Sequence, residues 1–292
     1  MRVCVTGAAG HLARALLPTL CAADWTERVV GVDRVACGFR HPKFSEVVSD
    51  VASRTALDEV RGADALVHLA NVVLRGRASA GAMRRVNVDA AISVIGAAAP
   101  AARVVALSSA AVYGNGEALA ENAPLAPLPG FLYAAHKAEL EAWIGRHAPR
   151  VAVLRPHIIL GPHAQPLLRR LATLPVYPRL PDPQPRLQCV HEADVVRAIL
   201  LALRSDATGA FNLAWPETFP WKALARSRHR RAIGLPLAWL RAALWLAWRA
   251  TGWGGEPGWL AGAAESLTLD CARARDVLGW TATHDPFAPA RA

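Results

Sequence analysis

A glycine turn between the first strand and the first helix restricts the folds available to this chain more than any other feature. Residues 3–6 form a short β-rich run, and apolar residues recur with helical spacing over residues 11–22. The connecting sequence, TGAAGHLA, places Gly7 at a tight turn, Gly10 where backbone can approach a pyrophosphate, and the small Ala13 where a helix packs on a strand. The turn therefore predicts the start of a dinucleotide-binding βαβ unit.

Strand and helix patterns alternate through the first half of the chain. Further strands are predicted at residues 28–33, 46–49, 65–70, 104–108 and 151–155, and helices at residues 81–99 and 133–147. Short apolar strands separated by helices indicate parallel βαβ units with right-handed crossovers, and hence an open sheet with helices on both faces. The predicted fold class is α/β, a Rossmann-like doubly wound parallel sheet.

The alternation breaks after about residue 155. Prolines crowd residues 162–185, which indicates a loop around a short helix, and residues 192–203 and 211–214 return to helix and strand. The remainder is mainly helical and rich in tryptophan. We expect a dinucleotide-binding domain over residues 1–155 and a smaller, mixed substrate-binding subdomain over residues 156–292, interleaved with the first.

The composition is that of a compact globular protein, since 53% of the residues are hydrophobic and 19% are charged. The five cysteines are scattered without a CxxC pair, which indicates reduced thiols and not a disulfide framework or a zinc site. His157 and His163 have no third ligand at metal spacing, so no metal is expected. The chain enters a strand without a secretory signal, and a cytoplasmic location is expected.

The formal net charge of +10 would suit nucleic acid, an anionic membrane surface or an anionic ligand. A coding preference for arginine explains the charge without such a partner, because the chain has lysine only at positions 43, 137 and 222. We therefore expect no nucleic-acid partner. The basic cluster RSRHRR at residues 226–231 is interpreted as a solvated loop face, with phosphate binding or membrane-surface contact as the alternative.

The apolar stretch at residues 235–253 permits two interpretations. Arg241 and Arg249 interrupt it, so it falls short of a membrane-spanning helix. Arg241, Trp245 and Arg249 are spaced by four and share one helix stripe, where cation–π contacts can form. With Trp239, Trp248 and Trp253 nearby, the segment could lie on a membrane surface. We favour a lid or dimer helix packed on the substrate-binding subdomain.

A serine, a tyrosine and a lysine form the predicted catalytic group. Tyr133 and Lys137 lie four residues apart and therefore share one face of the predicted helix. A free tyrosine titrates near ~10, and a neighbouring ammonium is expected to lower that pKa and stabilise the phenolate. Ser109, at the end of the preceding strand, would donate a hydrogen bond to the same substrate oxygen. The group suits proton transfer at an alcohol or carbonyl oxygen.

Asp33 ends the second predicted strand, 23 residues after Gly10. A carboxylate at this point accepts the ribose hydroxyls of NAD and repels the 2′-phosphate of NADP. Arg34 follows it and would weaken that repulsion. The pair predicts NAD as the preferred cofactor.

The chain resembles the extended short-chain dehydrogenase/reductases, also called the NAD-dependent epimerase/dehydratase family. The resemblance rests on TGAAGHLA (6–13), SDV (49–51), VHLAN (67–71), Asn87, LSSAAVYG (107–114), YAAHK (133–137), LRPHIILGP (154–162), CVHEADVV (189–196) and DCARARDVLGW (270–280). These motifs follow the family's order along nearly the whole chain.

The resemblance implies a role for each matching residue. On the cofactor side, the residues implied are Gly7, Gly10, His11 and Leu12 at the pyrophosphate, Asp33 at the ribose, Asp50 and Val51 at the adenine edge, Leu69 and Ala70 along the cleft, and Pro156 near the nicotinamide. The catalytic residues implied are Ser109, which polarises the substrate, Tyr133 as acid/base, Lys137, which also binds the nicotinamide ribose, and Asn87, a buried helix asparagine near the nicotinamide.

Departures from the family pattern narrow the implied reaction. Ala110 and Ala111 stand where the family's nucleotide-sugar dehydratases carry an acidic pair, which argues against dehydration. Ile158 and Leu187 replace an Asn and an Arg that serve the diphosphate of UDP-sugars in the related epimerases. Arg186 is adjacent to the second position and keeps an epimerase open. His136 replaces the usual Ser or Thr of YxxSK and is interpreted as a packing variant.

The expected function is reversible hydride transfer between a nicotinamide and a secondary alcohol or ketone. The alternatives are a nucleotide-sugar 4-epimerase with tightly held NAD and a non-catalytic NAD(P)-sensing protein. A comparatively apolar substrate is expected, because two of the family's diphosphate donors are absent while residues 235–253 offer an apolar lining. A homodimer formed through helices 81–99 and 133–147 follows from the resemblance.

Overall fold

The computed structural model describes residues 1–165, 175–180, 182–222, 225, 231–253 and 257–286. In chain order, the strands of the described residues are β1 (Arg2–Thr6), β2 (Arg28–Asp33), β3 (Phe44–Val48), β4 (Ala65–His68), β5 (Arg103–Leu107), β6 (Gly116–Leu119), β7 (Val151–Pro156), β8 (Ile158–Leu160), β9 (Val176–Arg179), β10 (Cys189–His191), β11 (Gly209–Leu213), β12 (Ile233–Pro236) and β13 (Leu267–Leu269).

The helices of the same residues are α1 (His11–Ala22), α2 (Arg54–Arg61), α3 (Ala80–Arg84), α4 (Ala91–Ala97), α5 (Leu132–His147), α6 (Glu192–Leu203), α7 (Leu237–Thr251) and α8 (Ala272–Leu278). A π-helical segment, Arg85–Ala90, joins α3 to α4, and short 3₁₀ helices span Ala110–Tyr113 and Pro257–Ala264.

Seven parallel strands form the main sheet, in the order β11-β7-β5-β4-β1-β2-β3. The direction of winding reverses between β1 and β4. In an open parallel sheet, such a reversal leaves a crevice at the carboxyl ends of the strands, where ligands bind. The predicted Rossmann-like doubly wound sheet is confirmed, and the crevice lies beside the predicted glycine turn.

An apolar layer covers each face of the main sheet, so its central strands are buried on both sides. One layer packs α1 and α6 against the strands through residues such as Leu16, Leu20 and Ile199. The other packs α2, α4 and α5 through residues such as Val94 and Leu140. Helix α2 was not expected from the sequence, although Ser53 caps it by accepting a hydrogen bond from the Ala56 amide.

The elements after residue 155 contribute both to the main sheet and to smaller strand pairs outside it. Strand β11 completes the main sheet beside β7, and α6 covers one face. Three parallel strand pairs, β8–β10, β9–β12 and β6–β13, build the remainder with α7. Residues 166–174 and 181 of the predicted proline-rich loop, and residues 226–230 of the basic cluster, lie outside the described residues.

Candidate active site

A single large cavity of about 1660 Å³ extends from the glycine turn to helix α7. Thirteen of the predicted site residues line it: Gly7, Gly10, His11, Leu12, Asp33, Arg34, Asp50, Val51, Leu69, Ala70, Ser109, Tyr133 and Pro156. The structure therefore brings together residues from six separate sequence motifs. Asn87 and Lys137 lie behind the wall, and their positions are described below.

The glycines of the turn keep side chains away from the backbone at the cavity wall. Gly7 has a φ of +76°, and a Cβ there would lie 2.7 Å from the Ala70 backbone nitrogen. A Cβ on Gly10 would lie 2.9 Å from the Gly7 carbonyl oxygen. Helix α1 begins at His11 without a side-chain cap and without an acidic residue in its first turn. The turn therefore fits the pyrophosphate of a dinucleotide, which a helix amino terminus attracts.

Asp33 is fixed at the end of β2 by backbone amides. One carboxylate oxygen accepts from the Ala9 N–H at 3.0 Å, and the other accepts from the Arg34 N–H at 2.7 Å. The first contact ties the carboxylate to the glycine turn. Asp33 therefore faces the cavity beside the turn, where the ribose of a dinucleotide bound there would lie.

Ser109 and Tyr133 meet at the opposite side of the cavity. Ser109 ends the loop after β5 and begins the 3₁₀ helix, where its hydroxyl accepts from the Ala111 N–H at 3.2 Å. Tyr133 lies in the first turn of α5, and its side chain hydrogen-bonds that of Ser109. The two hydroxyl groups therefore converge on one point of the wall. Ala110 and Ala111 line the same wall and carry no carboxylate.

The pKa of Tyr133 is raised, which contradicts the expectation that Lys137 lowers it. Burial raises the pKa from 10.0 to about 12, and the hydrogen bond with Ser109 offsets this only in part. Lys137 Nζ lies 5.8 Å from the centre of the Tyr133 ring and donates to the Leu107 carbonyl at 2.5 Å. The phenol is therefore protonated at neutral pH.

Lys137 is buried behind Tyr133, and its ammonium group loses its proton more readily than that of an exposed lysine. Burial lowers the pKa of the ammonium from 10.5 to about 8, although Glu141 opposes the shift. Glu141 lies one turn further along α5 and receives hydrogen bonds from Ser108 and from Arg155, at 2.9 Å from Arg155 Nε. The sequence analysis did not identify Glu141 as a partner of the active-site residues. The spacing of Lys137 and Glu141 by four residues on one predicted helix could have indicated it.

Asn87 hydrogen-bonds the backbone of the loop after β4, and its predicted place near the nicotinamide stays a prediction. Its side-chain oxygen accepts from the Val72 N–H at 2.6 Å, and its amide donates to the Val72 carbonyl at 2.8 Å. The π-helical segment that carries it interrupts the single helix predicted for residues 81–99. Since both amide groups are occupied and the residue does not line the cavity, Asn87 positions the loop after β4.

The far side of the cavity, which we call the substrate side, is mainly apolar. Its apolar lining includes Leu128, Phe131, Ile158, Leu160, Leu187, Phe219, Trp221, Leu240, Leu244, Ala247, Trp253, Trp259 and Leu260. The expectation that residues 235–253 provide apolar lining is confirmed by four of these. His163 and Glu192 are polar exceptions that sequence reasoning missed, and they form a 2.8 Å contact with each other.

Ile158 and Leu187 both line the substrate side, so the two replacements noted in the sequence lie where a substrate would bind. Arg186, considered as a substitute, is exposed and forms a 3.3 Å ion pair with Glu117. It does not line the cavity. The arginines among the described lining residues are Arg34, beside Asp33, and Arg85, on the π-helical segment.

His157 and His136 have structural surroundings. His157 is buried, its ring bonds the Leu267 carbonyl at 3.0 Å, and burial lowers its pKa to about 4. His136 is buried on α5 outside the cavity lining, in agreement with its interpretation as a packing variant. Within the described ranges, no cluster of three or more His, Cys, Asp or Glu side chains is arranged to hold a metal ion.

Comparison with solved structures supports the fold. MoeE5 in complex with UDP-glucose and NAD is 25% identical, with a TM-score of 0.75 over 98% of this chain and 94% of that one. The DesIV double mutant from Streptomyces venezuelae, a dTDP-glucose 4,6-dehydratase with NAD bound, is 22% identical. Its TM-score is 0.78 over 100% of this chain and 95% of that one. NAD, the expected cofactor, is thus bound in structures that share this fold.

A curated relative with a different type of substrate also matches. It is a ceramide reductase from Caulobacter vibrioides, 29% identical over 248 residues, and the match covers 80% of this chain and 73% of the relative. Residues 3–214, more than two thirds of the chain, match the family description "NAD dependent epimerase/dehydratase family". This stretch contains every predicted catalytic and cofactor-binding residue. The chain belongs to the NAD dependent epimerase/dehydratase family.

Proposed function

We propose that this chain is an NAD(P)-dependent oxidoreductase that interconverts a ketone and a secondary alcohol in a long-chain, apolar substrate. The observation that carries the proposal is the apolar substrate side of the cavity, which begins at Ser109 and Tyr133 and extends to α7. Such a lining favours hydrocarbon, because burying it against an apolar chain releases water from both.

Three side chains at or behind the cavity wall have separate roles in the proposed reaction. A nicotinamide cofactor held beside Ser109 and Tyr133 would supply or accept the hydride at the carbon of the substrate. Tyr133 donates a proton to the carbonyl oxygen during reduction, and Ser109 orients that oxygen by hydrogen bonding. Lys137, when charged, stabilises the phenolate that remains on Tyr133. The raised pKa of Tyr133 keeps the phenol protonated near neutral pH, as a proton donor for reduction must be.

Backbone and carboxylate groups would hold the cofactor. The glycine turn and the first turn of α1 suit the pyrophosphate, and Asp33 suits the two ribose hydroxyls of NAD. Asp50 and Val51 line the cavity where the adenine edge is expected. These contacts favour NAD over NADP, since a 2′-phosphate would meet the Asp33 carboxylate.

The lining argues against a nucleotide-sugar substrate. A diphosphate taken from water needs fixed donors, and Ile158 and Leu187 have none on their side chains. Arg186 is directed to Glu117 on the surface. The ceramide reductase, a relative by sequence, is named for a substrate with long hydrocarbon chains, which the apolar substrate side would accommodate.

The test is a panel of ketones of increasing chain length, assayed for NADH oxidation, with calorimetry of UDP, dTDP and GDP on the NAD-loaded protein. We expect kcat/KM to rise with chain length and no detectable binding of the three nucleotides. The control is a branched ketone with the same number of carbon atoms. It is as apolar as the linear ketone, but its chain is shorter. Micromolar binding of any nucleotide would favour a nucleotide-sugar epimerase and contradict the proposal.

A further inference from the structure

Helix α7 has two unlike faces, and neither is buried in the protein core. The inner face carries Leu240, Leu244 and Ala247, which line the substrate side of the cavity. The outer face carries Trp239 and Leu246, which are 69% and 60% exposed. An outer face of this kind is unusual, because soluble helices direct their polar residues to solvent.

Large exposed hydrophobic side chains are concentrated around this helix. Among the described residues there are seven, and four of them lie between positions 233 and 246: Ile233, Trp239, Trp245 and Leu246. The other three, Val35, Val48 and Val277, are scattered over the rest of the protein. A concentration of tryptophan and leucine on one exposed face marks an interaction surface and is not scattered surface variation.

Every charged side chain among the described residues 231–253, the segment that carries this face, is an arginine. Arg231, Arg241 and Arg249 are exposed on or beside α7. The Arg249 guanidinium lies 5.5 Å from the centre of the Trp245 ring, as the spacing by four predicted. From position 218 to position 255 the sequence has seven Lys or Arg residues and no Asp or Glu. The surface is therefore complementary to an anionic partner that also offers an apolar layer.

Contacts at the carboxyl end hold α7 in place against the loop after β4. The Trp248 indole donates to the Gly76 carbonyl at 2.7 Å, and Arg77 donates to the Ala250 carbonyl at 2.6 Å. The Arg75 guanidinium lies 4.7 Å from the Trp248 ring centre. These contacts are on the side opposite to Trp239 and Leu246, so they fix the outer face toward solvent.

We propose that the outer face of α7 binds the surface of a bilayer that contains anionic lipid. Trp239, Trp245 and Leu246 would enter the boundary between headgroups and acyl chains, and Arg241 and Arg249 would contact the headgroups. The helix lies in the plane of the surface, since no helix of the described residues is long and apolar enough to cross a membrane. A protein partner would be expected to match the arginines with carboxylates, whereas a bilayer matches both features at once.

The position of α7 connects this surface to the cavity. The same helix presents Leu240 and Leu244 to the substrate side and Trp239 and Leu246 to the outside. A lipid could therefore move from the bilayer along α7 into the cavity without crossing water. This route rests on the proposed function, whereas the binding of the bilayer rests only on the exposure and charge of the outer face.

Flotation of the full chain with vesicles tests the surface. Two kinds of vesicle are used, phosphatidylcholine alone and three parts phosphatidylcholine with one part phosphatidylglycerol. We expect flotation with the second kind, weakened at high salt. The triple variant Trp239→Gln, Trp245→Gln, Leu246→Gln should bind at least about a hundredfold more weakly. The double variant Arg241→Gln, Arg249→Gln should bind about tenfold more weakly or less, with reduced salt dependence.

Val277→Gln provides the matched control, because Val277 is 48% exposed on α8, away from this face. It should bind vesicles within about twofold of the wild type. Equal flotation of the triple variant and the wild type would overturn the proposal, because binding would then follow from net charge alone. Equal binding to both kinds of vesicle would overturn the requirement for anionic lipid.

Two further measurements distinguish bilayer binding from self-association and from the proposed catalytic function. Sedimentation without vesicles reports self-association, and an oligomer that the triple variant loses would assign the face to a second copy of the chain. Reduction of a short, water-soluble ketone should be unchanged in the triple variant, since none of its three residues lines the cavity. Vesicle binding without any ketone reduction would refute the proposed function and leave the membrane surface intact.

Discussion

The two sides of the cavity are built in different ways. The cofactor side consists of turns that follow β1, β2, β3 and β4, and it presents backbone groups and two short carboxylates, Asp33 and Asp50. The substrate side consists of large side chains from the loops and helices after residue 156, together with Leu128 and Phe131. The cofactor side is fixed by the main sheet, whose central strands are buried on both faces. The substrate side depends on side-chain shape and can change without altering the sheet.

This difference means that cofactor binding and substrate selection depend on different parts of the cavity. A dinucleotide has the same phosphates and riboses in every enzyme, so backbone groups on a rigid sheet can hold it. A substrate must be distinguished from its competitors, and under the proposed function the apolar lining makes that distinction, because it gives no partner to a diphosphate. Tyr133 and Ser109 lie at the boundary. Substitutions on either side should therefore affect different constants.

The largest expected effect is at the boundary. Tyr133→Phe removes the proton donor but keeps the ring, so we expect kcat for ketone reduction to fall about a thousandfold. The dissociation constant of NADH should stay within about twofold, because the glycine turn is unchanged. Stopped-flow hydride transfer and fluorescence titration measure the two quantities. A variant that keeps more than about a tenth of the wild-type kcat would exclude Tyr133 as the acid.

The second effect is confined to the substrate side. Leu244→Asp places a carboxylate in the apolar lining, so kcat/KM for a long-chain ketone should fall about a hundredfold. NADH binding should not change. Leu246→Asp is the matched control, because Leu246 lies on the exposed face of the same helix. The assay uses a ketone soluble without vesicles, so that the control reports only on the cavity. Equal losses in both variants would show that α7 does not line the binding site.

The sequence was sufficient for the cofactor side because its determinants are local. The glycine turn, Asp33 and the strands around them follow from spacing within a few residues, and helix His11–Ala22 has the predicted bounds. Local spacing also placed Tyr133 and Lys137 on one helix face. It did not give the pKa of Tyr133, because that value depends on how deeply the fold buries the phenol.

The positions of Asn87 and Arg186 needed the tertiary structure. Asn87 binds the backbone of Val72, fifteen residues away, through a π-helical segment that no periodicity indicated. Arg186 turns toward Glu117, a contact across 69 residues of sequence. The apolar character of residues 235–253 was clear, yet the sequence did not show which side chains line the cavity and which meet solvent.

A smaller effect sharpens the comparison on the cofactor side. Asp33→Asn removes the charge that faces a 2′-phosphate, and its amide oxygen can still accept from the Ala9 N–H. We expect the ratio of NAD to NADP affinity to fall about thirtyfold, mostly through tighter NADP binding. Asp58→Asn, on exposed α2, is the control. An unchanged ratio would show that Arg34 and not Asp33 sets the preference.

The smallest effect is a pH dependence that arises from Lys137. Burial holds the pKa of its ammonium at about 8, below the usual 10.5, whereas the Tyr133 phenol remains protonated until about 12. Reduction leaves a phenolate on Tyr133, and charged Lys137 stabilises it, so the rate should be highest below pH 8 and fall as the pH rises through that value. A decrease of about tenfold is expected between pH 7 and pH 9, because neutral Lys137 stabilises the phenolate much less than charged Lys137 does.

Lys137→Arg should flatten this decrease, because a guanidinium keeps its charge over the whole range. Single-turnover rates with saturating NADH measure both profiles. A wild-type rate that stays level to pH 10 would show that the charge on Lys137 does not support proton transfer by Tyr133.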